Sequence, residues 1–351
     1  MKRLFSAVAT ATILLAAVTS QASARSWRIN NNAARAPHFA DINAAVASDD
    51  VLDGDTLYLD PDCSLSADQT VTKTLTIIGT GYFLSGLPYT AATLSGYLYL
   101  RAPNSKVEGL EFAKGVHIYA DDVTVERCKT VNIRVGKSNS YYARNAIIRQ
   151  CYVNGRIYGE GETSAYSANC IIENCIVINS ASSGVTGTNS VICNLYSATI
   201  RNNYLKRTYS NGNNDCVIYY CHNGSVTNNI IYNTKVTTQV LYSTTNTAVS
   251  NNIMSSESNS SYPNNTFCGV ASEASTFALT GNNDERYQLK DDSPAKGYAT
   301  DGGDCGPYGG LFPYVPSGYP VGMPYFVSTN TPTRSTNGQV KITQHVKLQT
   351  R

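Results

Sequence analysis

The sequence is short of charge and has no local excess of it: 15% of its 351 residues are charged, with 27 basic residues against 25 acidic ones. A nucleic-acid partner would want a strong basic excess, so that class is set aside. Long apolar runs are missing too. The apolar stretch at residues 7–18 falls short of the ~20 residues a membrane-crossing helix needs, and no later run reaches that length. Helical periodicity is absent between Leu75 and Met254. Metal-ligand spacing is lacking, because Cys170 and Cys175 have no histidine near them. His222 and His345 stand alone, without the serine or cysteine that a nucleophilic constellation needs.

What is present begins at the N-terminus. Lys2 and Arg3 precede an apolar core at residues 14–18, and Ala22-Ser23-Ala24 supplies the small-x-small pattern of a signal-peptidase site. Cleavage after Ala24 is expected, giving an exported protein of the extracellular space, cell surface or periplasm. Removing that segment takes away two basic residues and leaves the mature chain formally neutral.

Self-similarity carries the fold. A four-residue phrase recurs seven times, led by Val107, Val125, Ile148, Ile172, Ile200, Val226 and Val249, at spacings of 18, 23, 24, 28, 26 and 23. Such irregular spacing suits coils whose turns carry insertions. A second short β-prone run follows in each coil, as at residues 116–119, 131–135, 156–158, 217–220 and 239–242. Short strands pairing in parallel with the coil below make a β-solenoid.

Stacking at about 4.8 Å turns the fourth position of the phrase into a ladder: Leu110, Cys128, Cys151, Cys175, Asn203, Asn229, Asn252. Buried cysteine fills a tight interior turn as a small hydrophobe, and parallel Cβ vectors favour free thiols over bridges. Asparagine there is expected to bond its own turn and the asparagines above and below. Of the other cysteines, Cys268 with Cys305 is the pair to test for a disulfide. The second position (Glu108, Glu126, Arg149, Glu173, Arg201) is expected to face solvent as a register-setting charge ladder.

Both ends need caps. Phe39, Ile42 and Val46 have the spacing of a short amphipathic helix laid across the first coil. Next come Gly54-Asp55-Thr56 with Pro61, and Lys73-Thr74-Leu75-Thr76-Ile77-Ile78-Gly79. Near the far end lie Tyr287-Gln288-Leu289 with Ser293-Pro294-Ala295 and the glycine-rich residues 301–310. In these features residues 35–313 resemble the pectin-lyase-like superfamily of secreted bacterial β-helices. The resemblance implies an all-β, right-handed parallel β-helix with a short N-terminal capping helix and a C-terminal closing segment. It implies no single activity, since that superfamily holds lyases, hydrolases, esterases and adhesins. The paired-aspartate, Gly-His-Gly and Arg-Ile-Lys signatures of its hydrolases do not occur, which argues against a polygalacturonase.

The division that follows is a signal peptide at 1–24, a cap and first coil at 25–70, the helix body at 71–285, and a closing coil with a β tail at 286–351. Asp301 and Asp304 read as turn residues rather than calcium ligands. In the tail, Val340, Ile342, Val346 and Leu348 alternate with polar residues, giving a strand that docks on the solenoid or pairs with residues 324–328.

Candidate binding residues lie on the second run. If Val116, Ile118, Val131, Ile133 and Ile157 point inward, then His117, Tyr119, Asn132, Arg134, Arg156 and Tyr158 face outward on three successive coils. The two arginines suit a sugar carboxylate or sulfate, with Tyr119 and Tyr158 as stacking platforms. No cofactor is expected; calcium on Asp121, Asp122, Glu160 and Glu162 is the alternative. The functional expectation is a monomeric, glycan-contacting β-helix without assigned catalysis. A polysaccharide lyase using His117, Arg134 and Arg156, and a purely structural adhesive or spacer, are the other readings.

Overall fold

The recurring phrase forms the spine of the molecule. The computed structural model describes residues 24–84, 87, 89–137, 140–160, 166–180, 190–208, 216–233, 240–255, 268–269, 272–281, 283–320, 324–330 and 343–348. Its first sheet has ten parallel strands in order from Ser26–Ile29 through Thr124–Glu126 and Ile171–Glu173 to Ala248–Ser250. Lead residues of the phrase stand in exact register, Val107 to Val125 to Ile148 to Ile172 to Ile200 to Val226 to Val249, and all are buried. Each β-branched side chain therefore packs on its counterpart one rung away, which is why an irregular spacing still gives a regular wall.

The second sheet, of 18 strands, holds two further columns per coil. A near column runs through Ser64–Leu65, Glu111–Phe112, Ile176–Asn179 and Tyr204–Arg207. A far column runs through Tyr97–Leu100, Gly115–Ile118, Ile192–Tyr196 and Ile218–His222. The strands Lys129–Val135 and Tyr152–Gly159 span both columns, with a register shift between Thr130 and Asn132. The expected runs are thus found, and the chain is an all-β parallel β-helix. One inward assignment fails: at the bulge Thr130 is buried, and Val131 is left half-buried outside the core.

The fourth-position ladder behaves as two materials. Asn229 Nδ2 donates to the carbonyls of Ile200 and Thr227 and to Asn252 Oδ1, each at 2.9 Å. Its own Oδ1 accepts from the backbone and side-chain nitrogens of Asn203, again at 2.9 Å. The run ends where Asn203 Oδ1 takes the backbone N–H of Cys175. Beyond that point Cys128, Cys151 and Cys175 are fully buried free thiols, and burial pushes the thiols of Cys128 and Cys151 well up.

The second-position charges are not the exposed ladder expected. Glu108, Glu126 and Glu173 are buried, and for the first two the reason is Arg127, itself buried. Its guanidinium reaches Glu108 Oε1 at 2.5 Å, pairs with Glu126, and donates through Nε to Gln150 Oε1 at 2.9 Å. That insertion resolves the like charges stacked at Glu108 and Glu126. Arg149 and Arg201 flank Glu173 on the next rungs.

The N-terminal cap is a helix at Ile42–Ala47, capped by Asp41, whose side chain accepts from Ala44 N at 2.7 Å. Ile42 and Ala45 plug the first coil.

The third position of the phrase is held in the left-handed region at Arg127, Gln150, Asn174, Asn202, Asn228 and Asn251, with φ between 49° and 59°. This turn aims their side chains out of the corner, where a C-terminal strap, residues 298–317, runs back along the stack. Asn251 donates to Tyr298 O, Asn228 to Thr300 Oγ1, Asn202 to Asp304 O, Asn174 to Pro307 O and Gly309 O, and Gln150 to Pro313 O. The segment read as a closing coil thus lies along the side of the solenoid. Just before it, the helix Glu273–Thr276 and residues up to 299 pack on the near column. There Tyr204, Ile176, Ile230 and Ile253 join Phe277 and Tyr287 in a second core. The tail strand Thr343–Leu348 pairs antiparallel with Pro324–Asn330, the hairpin being one of the two dockings foreseen. Residues 1–23, all but the last of those read from the sequence as a signal peptide, lie outside the described residues, as does the side chain of Cys268.

Candidate functional site

The C-terminal segment's described contacts fall on the near column and on the left-handed corner. The far column carries the polar side chains singled out from the sequence. Its inward residues Val116, Ile118, Ile133 and Ile157 are fully buried, and strand alternation then sends their neighbours outward. Pairing places Tyr99, His117, Arg134 and Tyr158 in one cross-rung column, and Tyr97, Gly115, Asn132 and Arg156 in the next. All six candidate residues, including Tyr119 one position beyond the strand, are brought to this face.

The geometry adds five contributors that sequence reasoning missed. Tyr97 and Tyr99 sit one rung earlier, with ring centroids 4.7 Å and 5.0 Å from His117. The alternation Tyr97-Leu98-Tyr99-Leu100 was the signal available for them. Lys114 stands 5.1 Å from the Tyr97 centroid, and Arg101 lies 5.2 Å from that of Tyr141. Tyr141 arrives from a turn and stacks on Tyr119 at 4.6 Å with the planes 6° apart; nothing in the sequence pairs these two rings.

Both rings read as stacking platforms are already engaged. Tyr119 is 7% exposed beneath Tyr141, and the Arg156 guanidinium lies 4.0 Å from the Tyr158 centroid. Arg134 pairs with Glu160, and among the described residues its buried Nε has no hydrogen-bond partner. The open aromatic edges are therefore those of Tyr97 and Tyr99, half-buried beside His117.

Electrostatics favour a neutral imidazole. Burial, assisted by the positive charge of Arg134, brings His117 down to about 4. The Tyr119 hydroxyl stands 3.1 Å from His117 Nδ1, and burial pushes that phenol up, so it stays protonated. An imidazole accepting this hydroxyl at Nδ1 carries its proton on Nε2 and can donate to a ligand.

The described carboxylates nearby each have a partner of their own. Asp121 is held below the ordinary range chiefly by its hydrogen bond from Arg144, Asp122 accepts from Asn145, and Glu160 is paired with Arg134. Glu162 is outside the described residues, as are the insertions at 161–165, 181–189 and 209–215. Among the described residues no group of three or more His, Cys, Asp and Glu is placed to hold a metal ion. A cavity of about 570 Å³ opens over the near column instead, between Ser64, Phe83, Thr93 and Glu111. Its acid Glu111 is bound to Lys129, and the cavity lies around the corner from the patch.

No protein-family model matches the chain, and no curated protein does. Among solved structures, the alginate lyase from Paenibacillus sp. str. FPU-7 is similar at 17% identity and a TM-score of 0.40, over 69% of this chain and 95% of that one.

Proposed function

We propose that the far column is a surface for binding acidic glycans, by way of Arg134, Arg156 and Lys114 with the rings of Tyr97, Tyr99 and His117. The observation that carries this reading is the cross-rung alignment of Tyr99, His117, Arg134 and Tyr158 on a face that the C-terminal segment's described contacts leave aside. Arginine on a rigid strand meets a carboxylate or sulfate through two parallel hydrogen bonds. Flat amphipathic rings beside it meet the apolar face of a sugar at small entropic cost.

A lyase reading has one observation in its favour, the hydroxyl of Tyr119 beside His117. Against it, an imidazole brought to about 4 is a poor base at neutral pH, so binding is the stronger reading. The test is retention of the mature protein on uronate-bearing, sulfated and neutral polysaccharides, with and without added salt. Retention by acidic glycans alone, lost with salt and weakened in Arg134→Ala and Arg156→Ala, is the expected result. Equal retention of both variants would remove the patch from consideration. Ultraviolet-absorbing unsaturated product would replace the binding reading with the lyase one.

A further inference from the structure

The strap that ties the coils together ends in a buried carboxyl without a cation. Asp284 is fully buried, in the turn before the short helix Glu285–Tyr287. Its Oδ2 accepts from Tyr314 Oη at 3.0 Å and from Ser317 N at 2.6 Å, both on the strap. Tyr314 Oη in turn lies 2.5 Å from Tyr82 Oη, which belongs to an early coil. The backbone repeats the link, since Tyr82 N donates to Ser317 O at 2.7 Å. Gly81 has φ of 89° there, and a Cβ on it would stand 2.6 Å from that same oxygen, so only glycine admits the strap this close. Three segments remote in sequence thus meet on one side chain.

The other oxygen, Oδ1, is buried, and among the described residues it has no hydrogen-bond partner and no lysine or arginine forms an ion pair with Asp284. A carboxylate in this place would hold a full charge on the donors Ser317 N, Tyr314 Oη and its own backbone N–H, with no counter-ion among the described residues, which is a costly state. We propose that Asp284 is a proton-operated latch: the strap end is held firmly while this carboxyl carries its proton and slackens when it ionises.

The surroundings isolate this one titration. From the strap, Tyr308 and Tyr314 face Asp284, and Tyr308 Oη donates to its backbone carbonyl at 2.9 Å. From the body come Tyr82 and Tyr152, with the thiols of Cys128 and Cys151 behind Tyr82. From its own turn come Glu285, whose charge adds to the cost of ionisation, and Arg286, which lies 5.8 Å from the ring of Tyr287. The four phenols and two thiols are all pushed up by burial and stay protonated as Asp284 ionises.

The sign follows from burial, which raises Asp284 above its ordinary 3.8 against the opposing hydrogen bonds of Ser317 and Tyr314. A raised value means the folded chain binds the proton more tightly than the unfolded one. The stabilising contribution is complete below 3.8 and is lost as pH rises through the folded value. The strap is tighter in acid.

Amide hydrogen exchange on the full chain tests this, using Tyr82, Gly306 and Ser317 as strap reporters and Ile148 and Ile172 as references. After correction for intrinsic rates, protection of the reporters relative to the references should fall several-fold as pH rises through that window. In Asp284→Asn it should stay flat. Carboxyl-carbon NMR of Asp284 in the unaltered protein gives an independent reading, a midpoint above the ordinary aspartate range. The same pH response in Asp284→Asn, or a carboxyl midpoint at or below that range, would overturn the proposal. If the variant does not fold, the NMR midpoint alone decides.

Discussion

Asn229→Ala is the sharpest probe of what holds the later coils. The substitution removes the acceptor of the buried Asn203 backbone N–H, which has Asn229 Oδ1 as its partner. An orphaned buried donor costs about 2 kcal/mol. Two side-chain bonds to the carbonyls of Ile200 and Thr227 go as well, each worth about 1 kcal/mol. The sum is about 4 kcal/mol from a residue with no ligand and no charge. Cys151→Ala, in the cysteine part of the ladder, removes a buried atom whose contacts to the carbonyls of Val125 and Arg149 are 3.5 Å and 3.2 Å. It should cost about 1 kcal/mol, the order of one buried methylene. Urea titrations followed by far-ultraviolet circular dichroism compare the two, provided the slopes agree. If Cys151→Ala shifts the midpoint as far as Asn229→Ala does, the asparagines are fillers and the hydrogen-bond reasoning is wrong.

Further outcomes follow from the charged groups. Glu126→Ala leaves the buried Arg127 with Glu108 and Gln150 only and should destabilise by about 3 kcal/mol. Replacing Glu126 and Arg127 together by apolar residues should recover part of that loss, which the same urea titrations would register. His117 should titrate at about 4 in ring-proton NMR, and Arg134→Ala should raise the midpoint by removing a like charge. Because the folded value lies below the ordinary 6.5, the stability tied to a neutral His117 is present above 6.5 and lost as pH falls through about 4. A midpoint at 6.5 would mean the ring is not held as described.

The parts of the fold legible in the sequence were those repeated in it. Seven aligned phrases gave the core column and the Cys and Asn ladder, and alternation in the second run of each coil gave the outward set on the far column, because stacking copies one local pattern from rung to rung. Val131 was misplaced because a bulge adds a residue without leaving a mark in the pattern. The burial of Glu108 and Glu126 was hidden because it depends on Arg127, the neighbouring residue in the same phrase, turning back through a left-handed turn between them. The strap was hidden for a different reason: Gln150 meets Pro313 across 163 residues, and no periodicity links them. The candidate patch followed the same division. Alternation gave the outward placement of His117, Arg134 and Tyr158, while the cover that Tyr141 places on Tyr119 comes from outside the repeat.

The direction of the strap bears on how the molecule comes apart. In a solenoid each rung touches only its neighbours, so melting can begin at an end and advance one rung at a time. Here a single segment runs against the order of stacking, gripping the rungs of Asn251, Asn228, Asn202, Asn174 and Gln150 in turn before reaching Tyr82. Fraying at the last rung therefore pulls on the same segment that secures the early ones. A column of near-independent steps becomes a unit that opens all together or stays shut.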